Sequence, residues 1–395
     1  MKRLWLLFAQ TITVVLAIYM VLQAMRPEWL HRSTPRLEGV TPSSAVPVLQ
    51  APASGAGGAA MGSYRNAAGK AMPAVVNILT TKALPQNHPL MRDPFFRRFF
   101  GDRSERAPRS EQQASLGSGV IVSPEGYILT NNHVVEAADE IEVVLADGRK
   151  AAAKVVGTDP ETDLAVIRIA ERGLPVMVLG SSEQARVGDV VLAIGNPFGV
   201  GQTVTMGIVS AVGRNNLHIN QFENFIQTDA AINFGNSGGA LIDTAGNLIG
   251  INSAIYSQSG GSVGIGFAIP VSTAKTVMDA IIEHGSVVRG WIGIETQDIT
   301  PELAEGFGLD RKTGAIIAGV VRGGPADRAG IKPGDILSSV QGKPVGDTNQ
   351  MLTLISSLPP GQKAQFTVIR KNQQSTVDVT VGKRPRPKPS AEDDD

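Results

Sequence analysis

The sequence predicts an all-β body of sandwich or barrel type, with a smaller mixed domain behind it and an apolar span in front. Three observations carry this expectation. Short segments rich in Val, Ile and Leu recur between 75 and 268, with Gly, Asn and Asp between them, the rhythm of strands joined by tight turns. The 44 glycines fall mostly in such strand-and-turn contexts. Helical apolar spacing appears only late, at 272–285 and 348–358.

Composition narrows the function classes. With 42% hydrophobic and 18% charged residues, the chain is a folded, core-forming protein. At 395 residues it has room for two or three domains. Its 36 basic residues balance 36 acidic ones and no basic block stands out, so nucleic acid is not an expected partner. Cysteine is absent, which excludes a disulfide framework, thiolate zinc sites and cysteine catalysis. No metal and no cofactor is expected.

The elements follow in order. Lys2 and Arg3 precede an uncharged run at 4–25 that Arg26 closes. A helix of that length crosses a hydrocarbon core of roughly 30 Å. A cleaved signal would have a shorter apolar region and small residues after it. Gln23 to Pro27 lacks that pattern, so 4–25 is expected to remain as a single membrane anchor. Basic residues flank it on both sides, and charge alone leaves its orientation open. Residues 26–70 form a flexible linker and pre-barrel segment, rich in Pro, Ser, Ala and Gly. The first domain, 71–286, has strands expected at 75–79, 118–122, 141–145, 164–169, 190–194, 204–212, 248–251 and 263–268. An insertion at 84–113 holds a Phe-rich run and reads either as a surface loop or as a contact arm for another subunit. A helix with Ser272 as N-cap and Gly285 as C-cap closes the domain. The second domain, 287–383, has strands expected at 291–294, 314–321, 336–340, 365–370 and 376–381, and helices at 325–329 and 348–358. In the second helix Met351 and Ile355 pair at i, i+4. The Pro- and charge-rich 384–395 reads as a disordered tail.

Acyl transfer by a serine needs an activated alcohol, a base held in one tautomer, and donors for the oxyanion. Gly235-Asn236-Ser237-Gly238-Gly239 lets the backbone turn sharply, exposing Ser237 with the Gly235 and Ser237 N–H groups converging. Taken alone it is also an ordinary turn. Of the five histidines, four sit in solvated contexts, whereas His133 ends a strand. Asp163 enters an apolar strand, where a half-buried acid must find a donor, and the His133 imidazole N–H would serve. The order His, Asp, Ser is one of the known triad orders.

These segments resemble the signature blocks of the HtrA/Deg proteases: Thr130 to Val135 around His133, Thr162 to Val166 around Asp163, and Gly235 to Leu241 around Ser237. Ile194 to Gly199 and Gln227 to Asn233 are similar to further blocks of that family. With one anchor and one C-terminal module, the chain looks most like the membrane-anchored DegS/AlgW branch. The resemblance implies a trypsin-like double β-barrel followed by a small α+β PDZ domain, with an N-terminal transmembrane helix. It also implies a catalytic triad of His133, Asp163 and Ser237, with Gly235, Asn236 and Ser237 as the oxyanion hole.

In the trypsin-like class an acid six residues before the serine selects basic side chains, and here that position is Ala231. Ala231, Ile232, Ile251, Asn252 and Ser253 are expected to line a pocket for small or aliphatic residues, although Ile251 reads equally as barrel core. Trp291, Ile292, Gly293 and Ile294 match the family's carboxylate-binding loop, with Met351 and Ile355 on the helix that walls the groove. Ile292 and Ile294 read equally as domain core. In the relatives a loop after a second-barrel strand relays occupancy of the groove. Here that loop is 213–220, and Arg214 is the candidate relay or a solvated arginine.

The resemblance further implies a homotrimer in the inner membrane, with catalytic and PDZ domains in the periplasm. Its substrate would be a membrane-spanning anti-sigma factor, cut when C-terminal peptides of misfolded outer-membrane proteins fill the groove. A general protease of denatured proteins and a non-catalytic peptide-binding adaptor are the alternatives, and the filled triad argues against the second.

Overall fold

Strands that read as unbroken apolar runs are buried on both faces, and this explains the architecture. The computed structural model describes Leu49 and residues 63–82, 113–136, 138–196, 201–217, 219–255, 262–306 and 313–385. The expected anchor at 4–25, most of the tether, nearly all of the 84–113 insertion and the tail from 386 lie outside the described residues. Among the described residues no helix is long and apolar enough to cross a membrane.

A short helix α1 (Arg65–Ala71) leads into the first barrel. Its strands are β1 (Val75–Lys82), β2 (Gln113–Ile121), β3 (Tyr127–Thr130), β4 (Glu140–Val144), β5 (Lys150–Asp159) and β6 (Leu164–Ile169), with helix α2 (Asn132–Val135) after β3. They close in the order β1-β2-β3-β6-β5-β4. The second barrel contains β7 (Val190–Gly195), β8 (Thr203–Arg214), β9 (Phe225–Thr228), β10 (Ala240–Ile242), β11 (Leu248–Ile255) and β12 (Gly266–Pro270). It closes as β10-β11-β12-β9-β8-β7.

Side chains alternate along a strand, and both sides find a core. In β6, Ala165, Ile167 and Ile169 point into the first barrel, while Leu164 and Val166 join the seam between the barrels. In β7, Val191 and Ala193 fill the second barrel while Leu192 and Ile194 meet the same seam. Burying one such side chain contributes about 1.5–3 kcal/mol. The seam is therefore a shared core, and the loops above it can carry a site built from both barrels.

Several expected elements shift. Strands β9 and β10 are too short to stand out in the sequence, and the Ala- and Lys-rich β5 lacks the apolar run that marks its neighbours. Helix α3 (Val271–His284) starts after Pro270, not at a Ser272 cap; Ser272 lies in its first turn, where its hydroxyl bonds that of Ser182 at 2.9 Å. Gly285 does cap the helix, at φ 71°, with its N–H on the Ile281 carbonyl.

In the C-terminal domain the expected strand at 291–294 is split. Gly293, at φ 75°, separates β13 (Gly290–Trp291) from β14 (Ile294–Asp298). After helix α4 (Pro301–Gly306) come β15 (Ala315–Val320), α5 (Pro325–Arg328), β16 (Ile336–Val340), β17 (Lys343–Pro344), α6 (Thr348–Ser356), β18 (Lys363–Arg370), β19 (Gln373–Thr380) and β20 (Gly382–Lys383). The sheet runs β14-β15-β16-β18-β19, with β17 on β16, and β13 pairs with β20. Strand β14 is thus an edge. Met351 and Ile355 of α6 pack into the domain core with Ile292.

Candidate active site

Asp163 precedes β6 in the left-handed region, at φ 58°, a conformation that Asp tolerates better than most residues. Its surroundings hold it there. The Asp163 carbonyl accepts from the Asn131 amide at 2.9 Å and from the Asn132 N–H at 3.1 Å. Its carboxylate takes three donors. The His133 backbone N–H reaches Oδ1 at 3.0 Å, and His133 Nδ1 and the Ser253 hydroxyl reach Oδ2 at 2.8 and 3.1 Å. His133 sits one residue inside α2, so one short helix turn presents both its backbone and its ring to the same acid.

The bond from Nδ1 to Asp163 selects the tautomer whose Nε2 can take a proton. Burial alone would lower the His133 pKa. The Asp163 charge and hydrogen bond, with the charge of Glu136, outweigh it and hold the pKa above the ordinary imidazole value.

Ser237 comes from the second barrel, in the turn between β9 and β10. The Asn236 N–H donates to the Asn233 carbonyl at 3.0 Å and closes a four-residue turn. Gly235 is its third residue, at φ 91°, where a type II turn requires a positive φ. Asn236 was expected among the oxyanion donors, but its N–H is used inside this turn. The N–H groups of Gly235 and Ser237 have no protein acceptor among the described residues. Gly238 is at φ 82°, and a Cβ there would lie 2.1 Å from the Ser118 carbonyl oxygen. The Ser237 hydroxyl donates to the Ser253 carbonyl at 3.1 Å. Ser253 therefore bridges the serine and Asp163.

The expected pocket divides. Asn252 is wholly buried, and its side-chain amide donates to the Ile194 and Ala240 carbonyls at 3.3 and 3.1 Å. It braces the turn from behind, because its backbone also exchanges bonds with Gly238 and Gly239. Ile251 is core, in the seam. Ile232 is buried in the second barrel against Gly266, and Ala231 is half-buried, its carbonyl held by Thr205. Sequence reasoning missed the bracing by Asn131 and Asn252, which follows no local pattern.

The match to known proteins agrees with the two-barrel fold and the domain behind it. Residues 117–251 match the trypsin-like peptidase domain and 290–381 the PDZ domain. A probable periplasmic serine endoprotease, DegP-like, from Chlamydia pneumoniae is 45% identical over 339 residues, 82% of this chain and 70% of that protein. The chain belongs to the HtrA/Deg family of serine endoproteases. Among solved structures, the HtrA-type protease AlgW with a decapeptide is 55% identical, with a TM-score of 0.71 over 82% of this chain and 100% of that one. A serine endoprotease from Yersinia pestis is 39% identical, with a TM-score of 0.62 over 83% of this chain and 100% of that one.

In this HtrA/Deg protease the PDZ domain is bonded to the turn that carries Asp163. Arg289 forms a bidentate pair with Asp159, at 2.7 and 2.5 Å, and reaches Glu161 at 3.2 Å. Arg384, placed by expectation in the disordered tail, binds Glu161 at 2.6 Å. Both guanidinium groups lie over the Phe222 ring, at 4.4 and 5.5 Å from its centroid. Phe222 belongs to the loop after β8, whose Asn220 amide also donates to the Thr162 carbonyl at 3.2 Å. Asn349 of α6 bonds Asn216 in the same loop. Arg214 closes β8 and donates to the Gln227 side chain at 2.8 Å, not to a backbone carbonyl. In the loop expected to bind a carboxylate, the Ile292 and Gly293 carbonyls accept from Ala326 and Val321. The N–H groups of Ile292 and Gly293 have no protein acceptor among the described residues.

Proposed function

We propose that this protease works through His133, Asp163 and Ser237 as a peptide-regulated endopeptidase of the periplasm. The observation that carries the reading is the Asp163 carboxylate, bound at once by the backbone N–H and the ring Nδ1 of His133. The Ser237 hydroxyl attacks the scissile carbonyl carbon and its proton passes to His133 Nε2. The Gly235 and Ser237 N–H groups receive the oxyanion. His133 returns the proton to the leaving amine nitrogen, the C–N bond breaks, and an acyl-serine remains. Water then adds to the acyl carbon, its proton again carried by His133, and the carboxyl product leaves Ser237. Half-buried Ala231, standing where an acid would select basic side chains, favours small or aliphatic residues before the scissile bond.

Regulation rests on the PDZ domain. Strand β14 is an open edge, and a peptide can add to it as a further strand with its C-terminal carboxylate on the free N–H groups of Ile292 and Gly293. AlgW has been solved with a decapeptide and with a tripeptide, which supports peptide binding by this chain. The activating ligands are C-termini of misfolded outer-membrane proteins, and the substrate is a membrane-spanning anti-sigma factor. The protein acts as a homotrimer, held in the inner membrane by residues 4–25, with Arg214 relaying occupancy of the groove.

A free peptide ending in an apolar or aromatic residue is expected to raise cleavage of a fixed substrate roughly 5- to 150-fold, the usual range of coupling between sites. Amidating that peptide should remove the effect, and Arg214→Ala should blunt it without weakening peptide binding. Equal activation by the amidated peptide would refute carboxylate capture. Full cleavage of denatured proteins with no peptide present would favour a general quality-control protease.

A further inference from the structure

We propose that Ser118, a first-barrel residue outside the triad, is a positioning residue for the oxyanion-binding turn. Ser118 lies in β2, opposite Asn77 of β1, and is fully buried. All its polar groups are engaged. Its N–H donates to the Ser237 carbonyl at 2.8 Å, and its carbonyl accepts from the Thr130 hydroxyl at 2.8 Å. Its hydroxyl accepts from the Asn196 N–H at 2.9 Å and donates to the Gly235 carbonyl at 2.6 Å. One side chain of the first barrel therefore ties the residue after β7 to the turn before β10, both in the second barrel.

The consequence lies in peptide geometry. The bond between Gly235 and Asn236 is a planar unit, with its carbonyl on Ser118 and its N–H on Asn233. Anchoring both ends fixes that plane. The oxyanion donors stand on the peptides immediately before and after it, Gly235 N–H on one and Ser237 N–H on the other. Their relative orientation therefore depends on the anchored plane between them. Gly235 has no Cβ and wide backbone freedom, so without the Ser118 hydroxyl the plane can rotate. The close approach of the turn to Ser118 needs Gly238, where a Cβ would lie 2.1 Å from the Ser118 carbonyl oxygen, and the glycines flanking Ser118 make room for side chains of the first barrel. A Cβ at 117 would meet Val134 Cγ1 at 2.5 Å, and one at 119 would meet Ile128 Cγ2 at 2.7 Å. Gly117-Ser118-Gly119, a polar residue between glycines in an apolar strand, is the signal in the sequence.

This inference rests on the reading of Ser237 as nucleophile. Its test uses the full chain with Ser118→Ala and Ser118→Cys, the second keeping the volume and only a weak donor. The readouts are kcat, KM, and affinity for a peptide aldehyde, which adds reversibly to a serine hydroxyl as a tetrahedral oxyanion. Ser118→Ala is expected to lower kcat about 10- to 100-fold, the scale of a misplaced catalytic group, with KM unchanged. Aldehyde affinity should fall by the same factor, and Ser118→Cys should lie between. Binding of a non-covalent peptide, measured in a Ser237→Ala background, should not move. If Ser118→Ala does not fold, Ser118→Cys decides. Wild-type kcat in a folded variant overturns the proposal, as does a fall in kcat without a fall in aldehyde affinity, or equal losses of aldehyde and non-covalent peptide binding. Activity retained by Ser237→Ala alone would instead overturn the nucleophile, and the inference with it.

Discussion

The turn that carries Ser237 and the loop that follows Arg214 belong to the same barrel and are held by different means. The turn is buried and tied largely by backbone bonds: Ser118 to Ser237, Gly238 to Asn252, Asn252 to Gly239 and Gly239 to Asn236. The loop hangs mostly on side chains, with a backbone bond across, from the Phe222 N–H to the Glu161 carbonyl at 3.0 Å. The N–H groups of Leu217, Ile219 and Asn220 all converge on the Glu223 carboxylate, at 2.7, 2.6 and 3.1 Å. Beyond them Arg289 and Arg384 reach across from the PDZ domain. Backbone bonds between strands leave little freedom, which suits a geometry that must be right at every turnover. Charged side-chain contacts can be exchanged, which suits the relay proposed for this loop.

Breaking the turn should cost most. Ser237→Ala is expected to lower kcat on the order of 10⁶-fold, the scale seen when a working triad loses its nucleophile. Steady-state cleavage by protein cleared of contaminating protease measures it, with circular dichroism to show an intact fold. A serine-reactive phosphonate should label Ser237 in the parent enzyme and nothing in the variant.

Asp163→Asn should come next, at about 10⁴-fold in kcat, because the wrong imidazole tautomer is then held. Its pH dependence separates electrostatics from structure. A general base must be neutral, so activity falls as pH drops through the His133 pKa. Asp163 and Glu136 raise that pKa, and the acid limb of the parent enzyme therefore lies above the ordinary imidazole value. Removing the Asp163 charge lets burial dominate and should move the limb to lower pH. An unmoved limb in the pH profile would deny Asp163 that role.

The smallest effect is expected between the domains. Arg289 is about 10% exposed, and its partners Asp159 and Glu161 are similarly shielded. Arg289→Ala would leave the buried Asp159 carboxylate without its cation, while Glu161 keeps Arg384, and breaking such a buried pair typically costs about 3–5 kcal/mol. Urea unfolding followed by circular dichroism reads it. Catalysis by the folded variant should fall far less than in the two triad variants, and a loss comparable to theirs would erase the contrast between turn and loop.

Much of the site was legible because its chemistry restricts residue types. Few histidines exist, only His133 lies at a strand end, and an acid entering an apolar strand needs a donor. The pocket was less legible. Asn252 lies beside Ser253 in sequence, but alternation along β11 sends its side chain to the other face, so adjacency misassigned it, while Ile251 is the barrel core it also read as.

The β architecture, the order of the two domains and the residues able to do acyl transfer follow from residue order alone. Apolar runs between turn residues persist whatever the chain packs against, and reactive side chains are few. Packing alone puts the Asn236 N–H inside the turn, Asn252 behind it and the Ser118 hydroxyl on Gly235. It alone joins Arg289 to Asp159, 130 residues away in the chain. Such bonds depend on where two distant backbones come within about 3 Å, and no local pattern of residue types encodes that distance.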